Sequence, residues 1–413
     1  MTVSASDHQP PASEQLNSLR DQLRAARAAK DWPASLMAAD KLRALLNDAP
    51  LSLLEVARAE IHVGNLEAAN RDLEQFVSMG QSAELVAKSD EFAPLRQQPS
   101  MARIQRAMDA NRSPVSLASV VFELPDAEIL AEDIDYDRAG KRFFITSVRE
   151  KRIVTSDVNG ALREFARAPD GWPILALKVD NTHGVVWATE VALRGFTNVP
   201  EAEWGRSALL CYELKSGKLL RRIEAPRPGA LGDMTLTNRG EVIVSDGDGG
   251  GVYLLPAAGQ ALERLDGGDF ISPQTPAMLP DGKRIFVPDY VRGIGVLDIA
   301  TKSVVWLSTG DRFALNGIDG LYFDRGSLIA VQNGTSPERV ISFQLDAALT
   351  KVQSETVIDR STPTLGDPTH GVVIGNDFYY IASSGWENTG EKGELTAKPS
   401  PPRVMRVDLR KLH

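Results

Sequence analysis

Hydrophobic residues follow two different periods along the chain, and the change falls near residue 112. Between residues 13 and 111, apolar residues recur at steps of three and four, as in Leu16, Leu19 and Leu23, which is the spacing of one face of an α-helix. From about Ser113 onward, short β-branched and aromatic runs alternate with turns rich in Gly, Asp, Asn and Pro, a pattern typical of β-strands. The sequence therefore predicts a helical region followed by an all-β region.

The helical region contains a repeat. Asp31–Ala34 aligns with Asn65–Ala68 at an offset of about 34 residues, the period of tetratricopeptide helix pairs. Pro50 stands between the two units, where it ends one helix and opens the next. A weaker third pair is expected between Ser82 and Met108. Such a region forms either a groove for a protein partner or a packing or dimerisation module. The second reading is favoured, because fewer than three clear repeats give little concave surface.

The all-β region contains a longer repeat of an apolar strand, a turn and a second apolar strand. The turns are spaced roughly 43 to 58 residues apart, as in propeller blades. They lie at Asp137–Gly140, Asp180–Gly184, Asn238–Gly240, Pro280–Gly282, Asp324–Gly326 and Gly375–Asp377. The strands that follow them are Arg142–Ile145, Val185–Ala188, Val242–Val244, Ile285–Val287, Leu328–Val331 and Phe378–Ile381. We therefore expect a mainly β fold: a flexible arm at residues 1–12, a tetratricopeptide-like helical domain at 13–112 and a six-bladed β-propeller at 113–413.

Composition excludes several classes of function. The net charge is -9 and the pI about 5.3, so no basic footprint for nucleic acid exists. No apolar run approaches the ~18 residues needed to span a bilayer. One cysteine and five histidines disfavour cysteine-rich or histidine-rich metal sites. The first residues lack the basic and apolar segments of a secretory signal, so a cytoplasmic location is expected, although a processed export protein would look the same.

A closed propeller brings the inner loop of every blade to one axial mouth, so polar residues at that position are expected to converge. By register these residues are Glu132, Asp133, Asp233, Gln274, Asp319 and the group Asp367, Thr369 and His370. Several carboxylates in one cavity raise one another's pKa unless a cation neutralises them. Calcium takes six to eight oxygen ligands of this kind. His370 is also open to a structural reading, as a turn residue bonded to a carbonyl group.

Three segments carry a resemblance to a known family: Ala131–Asp137, Leu279–Val287 and Ile318–Asp324. Together they resemble the senescence marker protein/gluconolactonase family of six-bladed propellers over nearly all of residues 120–413. The resemblance implies a divalent cation, often calcium, held in the central channel by a glutamate, two asparagines and an aspartate. Glu132 and Asp319 match the glutamate and the aspartate, whereas Asp233 and Gln274 stand at or next to the two asparagine positions.

These observations favour a hydrolase of the lactone or ester type that uses a divalent cation, with calcium preferred. Glu132 and Asp319 are the expected metal ligands, with Gln274 and Asp233 as helpers, and His370 and Asp233 are the candidate catalytic groups. The expected partners are a small lactone or ester and a possible protein bound by the helical domain, with no nucleic acid and no membrane. Two alternatives remain open: a non-catalytic binding propeller, motivated by the replaced asparagines, and a metal-free lyase or isomerase.

Overall fold

The computed structural model describes residues 10–310 and 312–412. Residues 1–9 of the predicted arm, which covers residues 1–12, lie outside the described residues. Within the described part of the chain, no helix is long and apolar enough to cross a membrane.

The N-terminal region is helical. The described residues form seven α-helices there: α1 (Ala12–Ala28), α2 (Trp32–Leu45), α3 (Pro50–His62), α4 (Leu66–Ser78), α5 (Glu84–Lys88), α6 (Ala93–Arg96) and α7 (Met101–Asn111). The Asp31 carboxylate accepts a hydrogen bond from Ala34 N at 3.1 Å and caps α2. Pro50 is the first residue of α3, as predicted. α1–α2 and α3–α4 are regular pairs, and we call all seven helices the helical layer.

The expected third helix pair is irregular. Ser89 is extended, with φ -72° and ψ 139°, and it separates α5 from a short 3-10 turn and α6. Pro94, near the start of α6, cannot donate a backbone hydrogen bond to a preceding turn. The first arm of this pair is therefore broken into short pieces, and only α7 is a regular helix. The predicted helical region is thus confirmed, and its tetratricopeptide-like repeat stays a prediction.

The all-β region forms six sheets within the described residues, which we number as blades in chain order. Blade 1 contains β3 (Ala131–Asp137), β4 (Arg142–Ser147), β5 (Arg152–Ser156) and β6 (Leu162–Arg167). Blade 2 contains β7 (Ile174–Asp180), β8 (Val185–Val191), β9 (Ser207–Glu213) and β10 (Leu219–Glu224). Blade 3 contains β11 (Leu231–Leu236), β12 (Val242–Asp246), β13 (Gly251–Leu255) and β14 (Glu263–Arg264). Blade 4 contains β15 (Ala277–Met278), β16 (Arg284–Asp289), β17 (Gly293–Asp298) and β18 (Val304–Trp306).

The last two blades close the ring. Blade 5 contains β19 (Gly320–Asp324), β20 (Ser327–Gln332), β21 (Arg339–Leu345) and β22 (Val352–Arg360), with β1 (Val115–Ser116) on its outer edge. Blade 6 contains β23 (Gly371–Ile374), β24 (Asp377–Ser383) and β25 (Arg403–Asp408), with β2 (Ser119–Glu123) as its outer strand. β1 and β2, the first two strands of the all-β region, thus complete the sheets of blades 5 and 6. The six-bladed β-propeller preceded by helices is confirmed, and each strand predicted after a turn is the second strand of its blade. Whether the two regions fold as separate domains stays a prediction.

The inner strands of the first three blades are interrupted near their starts. The register shifts between Ala131 and Ile134 in β3, between Ile174 and Leu177 in β7, and between Leu231 and Met234 in β11. A bulge of this kind bends the strand and re-aims its side chains. The site residues of blades 1 and 3 lie within these interruptions.

Hydroxyl groups on the second strands hold the start of the next blade in place. Thr146 Oγ1 donates to Leu175 O at 2.8 Å, and Thr189 Oγ1 donates to Gly232 O at 3.0 Å. Ser245 Oγ donates to Gln274 O at 2.7 Å. The three bonds fix the inner-strand starts of blades 2, 3 and 4 relative to one another.

The inner strands all begin at the same end of the propeller, which we call the channel mouth. The loops between second and third strands return to this end, and the helical layer packs on them over blades 4 and 5. Asn47 Nδ2 donates to Arg292 O at 3.1 Å, Arg292 Nε donates to Leu45 O at 2.9 Å, and Ser82 N donates to Ser336 O at 2.7 Å. The apolar cluster of α3–α7 also includes Ala314 of the propeller. A protein partner for the helical layer stays a prediction.

The opposite side of the channel mouth is covered by two long loops, residues 192–206 and 384–402. Thr197 N donates to Lys392 O at 2.8 Å and joins the loops. Gly393 has φ +78°, and a Cβ there would lie 2.2 Å from Cζ of Phe196, so only glycine fits. Trp172 is buried in the apolar cluster under these loops, and Trp204 and Trp386, which belong to the loops, pack against that cluster. The mouth is therefore walled on both sides.

Candidate functional site

Three titratable residues from different blades meet at the channel mouth. Glu132 lies in the bulge of β3, Asp319 directly precedes β19, and His370 directly precedes β23. One potential ligand atom from each lies within 4.8 Å of the other two. The convergence expected from the propeller register is therefore present for these three residues, and we call Glu132 and Asp319 the acidic pair.

His370 is held between two acceptors. Its Nδ1 donates to Glu132 O at 2.9 Å, and its Nε2 lies 3.0 Å from Oδ1 of Asp233. Burial alone would lower the pKa of His370, but the charges of Asp233 and Asp319 outweigh it and raise the pKa well above its usual value. The acidic neighbours therefore favour the charged form of His370, and each of its ring nitrogens faces an oxygen atom. Its predicted catalytic role stays a prediction.

Asp133 is compensated separately. Its Oδ2 lies 2.7 Å from Nζ of Lys178 and also accepts from Leu177 N at 2.9 Å. Burial opposes the charged form of Lys178, but Asp133 and Asp135 outweigh this effect and raise the pKa of Lys178. Asp133 thus ties β3 to β7 and has the Lys178 ammonium group beside it.

The side chains that donate hydrogen bonds to the acidic pair are neutral. Trp386 Nε1 donates to Glu132 Oε2, and Asn333 Nδ2 donates to Asp319 Oδ2 at 2.9 Å. Tyr290 Oη in turn donates to Oδ1 of Asn333 at 3.0 Å. Burial and the charge of Asp319 raise the pKa of Glu132 well above its usual value. Burial, reinforced by Asp233 and opposed by His370, raises the pKa of Asp319 to about 6.

A count of charges shows what the site lacks. Lys178 and His370 supply two positive charges against the four carboxylates of Glu132, Asp133, Asp233 and Asp319. His370 also favours the charged form of the acidic pair, but a net charge of about -2 remains when all four carboxylates are ionised. An uncompensated buried charge is strongly unfavourable. The pair must therefore take up a proton or be matched by an external cation of charge about +2, and its oxygen donors fit a divalent ion.

Buried polar atoms without partners lie at the same level of the channel. Asp233 Oδ2, Thr275 Oγ1 and Thr369 Oγ1 make no hydrogen bond within the described residues. Buried polar groups in native proteins nearly always have a partner, often water or an ion. These atoms belong to the inner-strand starts of blades 3, 4 and 6, so they mark a polar binding space around the axis.

Gln274, the fourth expected ligand, is placed in the inner loop of blade 4 but bonds locally. Its Nε2 donates to Ser272 Oγ at 3.1 Å and lies within 3.5 Å of where a Cβ on Gly247 would be. It is not part of the group formed by Glu132, Asp319 and His370. Its ligand role stays a prediction.

Three residues that shape the site were missed from the sequence. Lys178 lies in the strand ILALKVD, where one charged residue among apolar ones was the available signal. Asn333 and Tyr290 follow the second strands of blades 5 and 4, and the propeller topology places such loops at the mouth. Their local sequence resembles an ordinary turn, so only the topology could have singled them out.

No protein-family model matches the chain, and no curated protein sequence matches it. Among solved structures, a gluconolactonase from Xanthomonas campestris is similar at 14% identity and TM-score 0.47, covering 70% of this chain and 88% of that one. A PQQ-bound aldose sugar dehydrogenase from Streptomyces coelicolor is similar at 12% identity and TM-score 0.49, covering 71% and 99%. A virginiamycin B lyase from Staphylococcus aureus is similar at 14% identity and TM-score 0.45, covering 63% and 80%. Gluconolactonase-like propellers are thus among the structural neighbours. A fold alone does not decide a reaction, so the chemistry has to be argued from the site.

Proposed function

We propose that this protein is a hydrolase of lactones or esters that acts at the channel mouth with a divalent cation. The observation that carries the proposal is the acidic pair: a partly buried and a buried carboxylate, from blades 1 and 5, that together with Asp233 face only one positive charge, that of His370. Glu132 and Asp319 would hold the cation, with Gln274 and the Oδ1 atom of Asp233 as further oxygen donors. Calcium is the preferred ion, because the carboxylate and amide oxygens of this set are the donors it takes.

The bound cation would polarise the carbonyl group of the substrate and stabilise the negative charge that develops on its oxygen. Trp386 and Asn333 fix the orientation of the acidic pair through one hydrogen bond each. Asp233 has one oxygen beside His370 and one without a partner among the described residues. The free oxygen is the acceptor for a proton of the attacking water. Water adds to the carbonyl carbon, the carbon–oxygen bond to the alcohol breaks, and the proton held by Asp233 passes to the leaving alkoxide.

Hydrolysis of a panel of lactones and aryl esters tests this proposal. The purified protein is treated with chelator, dialysed and assayed alone and with calcium, manganese or zinc. We expect hydrolysis that depends on added cation, and a loss of at least about 100-fold in kcat/KM for Glu132→Gln and Asp319→Asn, in the range of a removed charge-stabilising group. Glu67→Gln is the matched control, since Glu67 is an exposed carboxylate on α4. Hydrolysis that survives both chelation and the two site variants contradicts the proposal.

A metal-free lyase or isomerase is a second candidate, and one observation favours it. The pKa of Asp319 is raised to about 6 by burial, so the acidic pair can share a proton in place of a cation, as paired carboxylates do. One member would then be a base and the other an acid near neutral pH. Turnover that is insensitive to chelator and bell-shaped with pH, with no water incorporated into the product, distinguishes this reaction from hydrolysis.

A further inference from the structure

A second cavity lies between the helical layer and the propeller. Its volume is about 490 Å³, within the range of roughly 300–1,000 Å³ found for small-molecule sites. Leu23, Leu42 and Leu46 line it from the helices, and Tyr290 and Val291 line it from blade 4. We call this cavity the cleft.

The cleft adjoins the acidic pair through Tyr290. The residue lines the cleft, and its hydroxyl donates to Asn333, which donates to Asp319. Two hydrogen bonds therefore join the wall of the cleft to one carboxylate of the site.

The outer part of the cleft is positively charged. Arg20, Arg24 and Arg27 lie at steps of four and three along α1, which places them on one side of the helix. Arg27 is paired with Glu55, and Arg24 is paired with Asp21 at 3.1 Å. Arg20 makes no hydrogen bond or ion pair with any residue in the described ranges. Its guanidinium is therefore available to an anionic group.

The lining of the cleft includes an exposed apolar side chain and a buried polar atom that has no hydrogen-bond partner among the described residues. Leu51 lines the cleft and is 65% exposed, although it is a large apolar side chain. Asn316 also lines it and is only 6% exposed, yet its Oδ1 has no hydrogen-bond partner within residues 10–310 and 312–412. An exposed leucine and an unsatisfied buried amide in one cavity point to a ligand that covers the first and donates a hydrogen bond to the second.

We propose that the cleft binds the remote part of the substrate, which is a lactone or ester carrying an apolar chain that ends in an anionic group such as a carboxylate. The inference rests on the proposed function and adds a substrate class to it. Arg20 lies on the wall of the cleft that α1 forms, and Tyr290, on the wall that blade 4 forms, is two hydrogen bonds away from Asp319. A substrate that contacts both walls is therefore oriented with its anionic tail at α1 and its carbonyl group toward the acidic pair.

The test compares two esters that differ only in tail charge. They are the 4-nitrophenyl monoester of octanedioic acid and 4-nitrophenyl octanoate, assayed with the full-length protein. We expect a higher kcat/KM for the charged ester, and we expect Arg20→Glu to reduce the ratio of the two kcat/KM values roughly three- to thirty-fold, since one exposed charge is reversed. Arg106→Glu is the matched control, because Arg106 is an exposed arginine of α7 outside the cleft, and its ratio is expected to equal that of the wild type.

Calorimetric binding of octanoate and octanamide separates the cleft from the chemistry. Octanoate is expected to bind the wild type more tightly than octanamide, and this preference is expected to be lost in Arg20→Glu. Ester hydrolysis with an unchanged ratio in Arg20→Glu overturns the inference and leaves the hydrolase intact. Octanoate binding that depends on Arg20, without hydrolysis of any ester, supports the anion-binding cleft and overturns the hydrolase. Equal or absent binding of the two probes to the wild type overturns the cleft.

Discussion

Replacement of Asp319 by asparagine is expected to stabilise the cation-free protein. Burial raises the pKa of Asp319 from 3.8 to about 6, and the residue is only 9% exposed, so solvent screening is small. Between these two pH values, the folded state binds more protons at Asp319 than the unfolded state, and the free energy of unfolding falls as the pH rises. Above pH 6 the full penalty applies, and at ~1.36 kcal/mol per pKa unit it amounts to about 3 kcal/mol.

The variant Asp319→Asn keeps a side-chain oxygen that can accept from Asn333 while removing the charge. With chelator present, we expect its free energy of unfolding to exceed that of the wild type by up to about 3 kcal/mol above pH 6, with part of the gain taken up by a change in the ionisation of Glu132. The gain is expected to shrink as the pH falls through the window from 6 to 3.8. Calcium is expected to reverse the order, because ligand binding stabilises only the chain that binds it.

Urea denaturation followed by tryptophan fluorescence measures these differences at several pH values, with chelator and with calcium. Asp298→Asn is the control of opposite sign, because hydrogen bonds from Thr301 and Ala300 hold the pKa of Asp298 below its usual value. That control is expected to be less stable than the wild type at neutral pH. An Asp319→Asn variant that is less stable than the wild type with chelator at neutral pH refutes the reasoning, since it means that the protein itself compensates the Asp319 charge.

Three further substitutions test individual contacts. Trp386→Phe keeps an aromatic ring but removes the hydrogen bond to Glu132 that favours its charged form. The pKa of Glu132 is then expected to rise, and the acidic limb of the pH–rate profile is expected to move to higher pH; a profile that coincides with the wild type contradicts this role. Lys178→Met leaves Asp133, which is fully buried, without its cation, and it is expected to cost about 3 kcal/mol in urea denaturation at neutral pH; a loss below about 1 kcal/mol means that the backbone donors suffice. Arg292→Ala removes the donor to the C-terminal end of α2 and a guanidinium that lies 4.3 Å from the Trp306 ring centroid. Hydrogen exchange in α1 and α2 is then expected to accelerate while that of β4 stays constant, and unchanged exchange in the helices contradicts the docking role.

The propeller could be predicted because a polar turn recurs at the same place in every blade. Each blade needs a polar turn between its first two strands, and the strand after it is apolar because it is buried on both faces, as in β16, where five of six residues are buried. The helix boundary at Pro50 was equally local, since the effect of proline on a helix is limited to a few residues. The broken third helix pair could not be predicted in the same way, because its short pieces are held by packing against α4 and the propeller.

The meeting of Glu132 with Asp319 could be predicted for a related reason: both stand at the start of an inner strand, and a closed ring brings such starts together. The hydrogen-bond and ion-pair partners of each group could not be predicted. The neighbours of the two ring nitrogens of His370, Glu132 O and Asp233, are not written in the sequence, and Lys178 gave no repeat signal. Contacts of this kind depend on distances of a few ångström between blades, which no sequence period specifies.

The most direct test is a crystal structure of the protein soaked in manganese, with data collected for anomalous scattering. The expected result is an anomalous peak bounded by the carboxylates of Glu132 and Asp319 and absent from the Asp319→Asn variant. A manganese-saturated crystal whose map has no peak beside these two carboxylates contradicts a cation site at the acidic pair.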